Sequence, residues 1–445
     1  MSGAAMLTLA YDSLDAAPDR QRVHVRPNGA AAAPGAAWLL RLCLLAPDRL
    51  GCERTATLTA ADRPFVYPLE LTTDSRPGAP APTHPVSLAL PPAVCAAARR
   101  GRAGILVWLG DRAVPLELDA EGQAWLFDLV ELVVLKNEIP PASVWFATGT
   151  VTAPEDFGAW QRLRGFYEPE LFRMRALSAV PGLARATYRA HAQGRAVTQA
   201  RAPDGGLTLE TIAMSPDAFR ARTVTPDEIA AEHREGRVRA RKLVYLSDDD
   251  TPHSRLVLAF LHAAGCLEAT VAGFPAVCGD TPGIAAAFPA APALSARLEA
   301  AWQAVAPRLP LVPTGAPSRD GYVAIAGEPT MDGYPLAAES VIAPLLTLQP
   351  FLWVGAPDTL RYLRALGFQT FGRVLDERYD APDAPASRLL RLFGQIEALG
   401  ARDGAALRDL HAACMPELLH NRAHLIEGRH QLDRLLEELE AEYGE

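Results

Sequence analysis

The stretch ESVIAPLLTLQPFLWVGAPDTLRYLRALGFQTFGRVLDERYD, residues 339–380, decides the fold. Val341, Ile342, Leu345, Leu346 and Leu348 suit a buried helix, and Phe351 to Val354 form a short apolar run that Gly355 and Pro357 end. Asp358 or Thr359 then caps a second helix carrying Leu360, Leu363 and Leu366, which Gly367 stops. Helix, strand, Gly-Pro loop and helix start, in that order, are half of an α/β layer. Such loops hold ligands at the carboxyl edge of a parallel sheet.

Working outward, residues 241–268, RKLVYLSDDDTPHSRLVLAFLHAAGCLE, repeat the pattern of strand, loop and helix. GYVAIAGEPT, residues 321–330, reads as a strand running into a turn. Upstream, GILVWLGD, Trp125 to Lys136 and SVWFATGT alternate strand, helix and strand, which implies another α/β lobe. Short apolar runs punctuated by Pro, Asp and Gly mark residues 1–98 as β-rich, with a Pro-rich loop at 75–85. A capping box, Thr225 with Pro226 at N1 and Glu228 at N3, stands near the lobe boundary. The chain therefore divides into a β-rich N-terminal region (1–98), a first α/β lobe (99–225), a second (226–400) and C-terminal helices (401–445).

At 445 residues and 49% hydrophobic, the chain has enough apolar surface for cores without disulfide staples. A formal charge of −9 disfavours nucleic acid as a partner. Only Arg237, Arg239, Arg241 and Lys242 cluster, and a solvated edge is favoured over a phosphate-contacting row. The six cysteines show no metal or redox spacing and read as core thiols of a reducing compartment. With no secretory signal and no apolar stretch long enough to span a bilayer, a cytoplasmic protein is expected. The leucine stripe Leu425, Leu432, Leu435, Leu436 and Leu439 either packs back across the first lobe or forms a homodimer. Gly428 interrupts it, which favours the former.

Residues 339–380 also resemble a family of bacterial and phage glycosyltransferase-like proteins, distantly similar to fucosyltransferases. The positions that match its pattern are Glu339, Pro344, Gln349, Pro350, Phe351, Gly355, Pro357, Leu360, Leu366, Gly367, Phe368, Thr370, Phe371, Asp376, Glu377, Tyr379 and Asp380. Two family lysines are replaced by Ser340 and Ala343. In the 241–268 segment the family's arginine-rich loop is replaced by Asp248, Asp249 and Thr251, with Ser254 at the last arginine, while His253 is kept. Glu328 falls on a family glutamate. The resemblance spans roughly residues 100 to 428. It implies two Rossmann-like lobes of GT-B-like architecture, a nucleotide-sugar donor on the second lobe and an unknown acceptor.

Asp248, Asp249 and Asp250 follow a strand directly and admit three readings. They cap the helix that Pro252 opens, contact sugar or acceptor, or, through Asp248 and Asp250, hold Mg²⁺ or Mn²⁺ against a diphosphate. Capping is favoured, so no cofactor is the primary expectation. His253, in the first helical turn, is a candidate base beside Asp248, against the favoured alternative of a surface or cap-adjacent histidine. Arg255 is a candidate phosphate contact, against an exposed helix arginine. Glu328 and Glu339 are candidates for accepting bonds from sugar hydroxyls, and Gly355 to Thr359 for receiving the diphosphate. Asp376, Glu377 and Asp380 read as a solvated acidic turn over Tyr379. No P-loop, serine elbow, zincin or dinucleotide fingerprint supports another class. Two functions remain open: a glycosyltransferase, and a catalytically degenerate relative acting as a binding or assembly module.

Overall fold

A computed structural model describes residues 6–16, 21–25, 37–70, 90–108, 134, 136–149, 153–163, 173–202, 206–246, 252–273, 292–309, 319–327, 331 and 339–444. The chain forms two compact units, 1–214 with 429–445, and 215–428.

The first unit has two sheets. Its six-stranded sheet is built from β1 (Leu7–Tyr11), β4 (Leu50–Arg54), β5 (Phe65–Glu70), β6 (Ala103–Trp108), β7 (Val144–Thr148) and β8 (Arg173–Ala176), in the order β4-β1-β5-β6-β7-β8. Every pairing in it is parallel. Continuous burial of β6 and β7 explains their unbroken apolar sequences, since a parallel sheet is covered on both faces. β2 (Leu14–Ala16), β3 (Arg22–Val25), β9 (Arg195–Arg201) and β10 (Leu207–Ala213) form an antiparallel four-stranded sheet ordered β2-β3-β10-β9. Helices α1 (Ala37–Leu45) and α2 (Val180–Ala192) belong to this unit.

The second unit holds one four-stranded parallel sheet, ordered β12-β11-β13-β14, made of β11 (Leu243–Leu246), β12 (Thr270–Gly273), β13 (Val323–Gly327) and β14 (Phe351–Val354). Its helices include α3 (Pro226–Arg234), α4 (Pro252–Ala263), α5 (Pro292–Val305), α6 (Glu339–Leu346), α7 (Thr359–Ala365), α8 (Pro385–Gly400), α9 (Gly404–Ala413) and α10 (Met415–Glu427). The capping box at α3 is formed: the Glu228 N–H donates to Thr225 Oγ1 at 3.3 Å and the Thr225 N–H donates to Glu228 Oε2 at 2.7 Å. Both parallel sheets place their second strand outside their first and continue on the other side. The protein is thus an α/β chain of two Rossmann-like units with a helical C-terminus.

Three features differ from the sequence expectation. The N-terminal runs MLTLAY and FVYPLEL do not form a separate region, because β1, β4 and β5 lie in the same sheet as β6 and β7. The units meet at 214/215, before the capping box rather than at it. The C-terminal helices divide after Gly428: α10 belongs to the second unit, and α11 (Gln431–Tyr443) to the first.

In α11 the leucine stripe is consumed within its own chain. Leu432, Leu435, Leu436, Leu439 and Tyr443 enter the core that contains Leu7, Leu9 and Val66, so they present no dimer seam. Two glycines make room for this approach. A Cβ at Gly182 would come 2.8 Å from Leu432, and one at Gly104 2.5 Å from Tyr443. Arg49 clamps the helix, with Nε on Glu440 at 2.6 Å and Nη1 on Asp433 at 3.2 Å, and Arg185 also pairs with Asp433. Burial opposes the charge on Asp433, yet Arg185, the His430 N–H and Arg49 together hold its carboxyl below the usual range. No helix among the described residues is long and apolar enough to cross a membrane.

Candidate functional site

In an open parallel sheet the loops that follow the strands gather at one edge, and a crevice forms where the strand order reverses. For the second unit that edge carries the ends of β11, β13 and β14, with the reversal between β11 and β13. Topology therefore brings to one edge the strand ends Leu246, Gly327 and Val354. Asp248, Asp249, Asp250 and Glu328 lie outside the described residues. Glu339 opens α6, and its side chain is likewise outside them.

His253, Ser254 and Arg255 are all buried in the first turn of α4, at 7%, 3% and 8% exposure. The surface reading of His253 and the exposed-helix reading of Arg255 are therefore corrected. The cause is local: the segment from Pro252 to Ala263 is apolar around most of its circumference and is buried along most of its length. The Arg255 guanidinium lies over the Trp302 ring of α5, 5.5 Å from its centroid. Such stacking helps to hold a cation in place.

Gly355 and Ala356 are buried after β14, and Asp358 adopts a left-handed conformation with φ of 60°. Neither Asp358 nor Thr359 caps α7 by its side chain; Thr359 Oγ1 instead donates back to the Ala356 carbonyl at 2.9 Å. The cap arrives from twenty residues downstream. Asp380 accepts the Thr359 N–H at 3.1 Å and the Leu360 N–H at 2.9 Å on its two carboxylate oxygens, and its carbonyl accepts the Asp358 N–H at 2.8 Å. The positive end of this seven-residue helix thus already holds an anion of the chain itself.

Burial raises the Asp380 pKa to about 6, against the lowering pull of the Leu360 N–H, Arg388 and the Thr359 N–H. Arg388, 2% exposed, donates from Nε to the Tyr379 carbonyl at 3.0 Å and from Nη1 to the Met331 carbonyl at 3.2 Å. It links the loop after β13 to the one after α7. The acidic turn is accordingly not wholly solvated. Tyr379 is packed beneath it as expected, its hydroxyl accepting the Trp353 N–H at 3.3 Å, but Asp380 points inward. Glu377 accepts from Thr370 Oγ1 at 3.0 Å and Arg364 at 3.2 Å, while Asp376 pairs with Arg378.

The opposite, amino edge carries a second polar cluster that sequence reasoning missed. Arg239 is not part of a solvated row. Its Nε donates to Glu232 at 2.7 Å, its Nη1 to the Gly321 carbonyl at 2.8 Å, and its guanidinium stacks 5.2 Å from the Tyr322 ring. Lys242 donates to the Gly400 carbonyl at 2.6 Å. His411, fully buried, holds the Leu348 carbonyl at 2.7 Å through Nε2 and faces His233 Nε2 at 3.0 Å through Nδ1. Since a carbonyl only accepts, His411 Nε2 carries the proton and His233 donates to Nδ1. Burial, with Arg239 and His233 nearby, lowers the His411 pKa to about 3. Among the described residues no group of His, Cys, Asp and Glu is placed to hold a metal ion.

No family model and no curated protein matches the chain. Solved structures that are similar over most of it include the following two. The trehalose-6-phosphate phosphatase N-terminal domain of Candida albicans shares 12% identity, covering 99% of this chain and 97% of that chain, with a TM-score of 0.40. The alpha,alpha-trehalose 6-phosphate synthase of Burkholderia multivorans shares 15% identity, covering 90% of this chain and 74% of that chain, with a TM-score of 0.35. Likeness at this level carries no argument about substrate or chemistry.

Proposed function

We propose that the protein is a glycosyltransferase-like transferase, related to the bacterial and phage family its motifs resemble, that binds a nucleotide-sugar donor at the carboxyl edge of the second unit's sheet. The observation that carries this reading is the topology: the strand order reverses between β11 and β13, and the carboxyl ends of the parallel strands β11, β13 and β14 share that edge. Arg255 is the described cation in the first turn after β11, suited to a leaving diphosphate. His253, two residues before it, is suited to a proton-transfer or hydroxyl-binding role, with Asp248 as the companion carboxylate. Glu328 and Glu339 would accept from sugar hydroxyls. Asp248 and Asp250 are the alternative ligands for Mg²⁺ or Mn²⁺. The acceptor has no assigned chemistry, and a cytoplasmic location accompanies the reading.

One observation favours a second reading. The helix start expected to receive the diphosphate, Gly355 to Thr359, is filled by Asp380. A chain that has also lost the family's lysines and arginines fits a degenerate relative serving as a binding or assembly module.

Thermal shift against a panel of nucleotide sugars, with and without Mn²⁺, separates the two. A donor at a hundred times its Kd stabilises by about 2.7 kcal/mol. The transferase reading expects such a shift in the wild type and its loss in Arg255→Ala. No shift with any donor, in either metal condition, favours the module. A shift that needs no metal and survives Asp248→Ala with Asp250→Ala removes the metal alternative.

A further inference from the structure

Among the described cysteines, Cys43, Cys95, Cys266 and Cys414 are buried and Cys52 is half-exposed. Cys43 lies in the last turn of α1, and Cys52 in the middle of β4, an edge strand of the six-stranded sheet. The short turn between them folds the strand back beside the helix: the Leu50 N–H donates to the Ala46 carbonyl at 3.1 Å, as does that of Arg49. This carries Cys43 Sγ to 3.7 Å from the carbonyl of Gly51, the residue next to Cys52. Cys52 packs against the core cluster that contains Cys43, and the neighbouring Cys52 thiol together with burial pushes the Cys43 thiol up. One thiol of the pair is thus sheltered and protonated, and the other is half open to solvent.

We propose that Cys43 and Cys52 form an oxidative modification site, a dithiol that peroxide converts to a reversible disulfide within the first unit. The half-exposed Cys52 thiolate attacks one oxygen of hydrogen peroxide, the O–O bond breaks, and Cys52 becomes a sulfenic acid as hydroxide leaves and takes a proton to become water. The Cys43 sulfur then attacks the Cys52 sulfur. The S–O bond breaks, the Cys43 proton leaves with the hydroxyl as a second water, and the S–S bond forms. Two thiols are oxidised, one peroxide is reduced, and two waters result. A dithiol reductant reverses the change by thiol–disulfide exchange. Disulfide formation brings the two sulfurs to about 2 Å, a displacement that the turn between α1 and the edge strand is placed to absorb.

Peroxide treatment of the full chain, followed by denaturation, alkylation and peptide mapping, tests this. Cys43 and Cys52 are expected to disappear together from the alkylated peptides, to reappear as one linked peptide, and to return to alkylation after dithiothreitol. The proposal is overturned if both stay alkylatable, if Cys52 advances to sulfinic acid while Cys43 remains a free thiol, or if either links to another cysteine. Cys52→Ser changes only the half-exposed partner, and peroxide is expected to leave Cys43 alkylatable there. Loss of the Cys43 thiol in that variant also overturns it. Cys95, buried in the same unit, serves as the internal control that stays alkylatable.

Discussion

The two edges of the second unit's sheet are made from the same strands and differ in how their polar groups are used. At the amino edge Arg239, Glu232, Tyr322, His233 and His411 bond to one another and to the carbonyls of Gly321 and Leu348. At the carboxyl edge Asp380 and Arg388 play that part for the loops after β14 and β13, while His253 and Arg255 sit in the turn after β11. Saturation at one edge ties strands together, and at the other it fixes the start of α7 and joins Tyr379 to Met331. The contrast predicts that amino-edge changes act on stability and that changes near Arg255 act on binding.

The largest effect is expected at His411. Replacing it by alanine leaves a void, strands the Leu348 carbonyl and deprives His233 of its acceptor. Denaturant unfolding should show a loss of about 3–5 kcal/mol, with the nucleotide-sugar response of the folded fraction unchanged. A large loss of ligand response without destabilisation would erase the distinction between the edges.

Asp380→Ala comes next, because it frees two N–H groups at the start of α7 and removes a carboxylate whose charge Arg388 favours. A destabilisation of about 2 kcal/mol is expected, and Asp380→Asn, which keeps one acceptor oxygen, should lose about half as much. If Asp380→Ala instead left stability intact and gained a response to inorganic phosphate, the cap would be a displaceable occupant and not a structural one.

These residues show what was legible in the sequence. The apolar runs, the Gly355 and Pro357 stop and the Thr225 capping box are local signals, and each element they mark exists. Asp380 was visible as part of a matching motif but not as a cap, because side-chain capping is ordinarily inferred from the adjacent residue and this carboxylate comes from twenty positions away. The His233 and His411 pair spans 178 residues, and no spacing rule joins them. Short apolar runs in residues 1–98 announced strands without saying that their pairing is parallel. The stripe in α11 revealed a buried face, and the alternatives for its partner were decided by Gly182 and Gly104, whose missing side chains have no local signature.

A smaller effect on stability is expected for Arg255→Ala. The side chain is stacked on Trp302, so truncation removes packing and a cation–π contact worth about 1–2 kcal/mol together. Its effect on the thermal response to a nucleotide sugar should be complete. Arg255→Lys, which keeps charge but not the planar stack, should retain part of that response. Equal responses in wild type and Arg255→Ala would move the donor away from this turn.

The smallest net effect is the pH dependence of the wild type, because the two edges oppose each other. His411 has a folded pKa of about 3, below the ordinary value of 6.5, so the unfolded state binds the proton first and stability falls as pH drops below 6.5. Asp380 has a folded pKa of about 6, above the ordinary 3.8, so its contribution is complete below pH 3.8 and is lost as pH rises through 6. Between pH 6 and 4 the slopes have opposite signs and similar size, about 1.4 kcal/mol per pH unit each as an upper bound. Wild-type stability should therefore change little through these two groups in that window. His411→Gln should unmask the Asp380 slope and gain stability on acidification, and Asp380→Asn should unmask the His411 slope and lose it. Parallel urea titrations at pH 6 and pH 4.5 measure both. Variants with slopes of the same sign would show that the two edges do not divide the unit's titration as their burial requires.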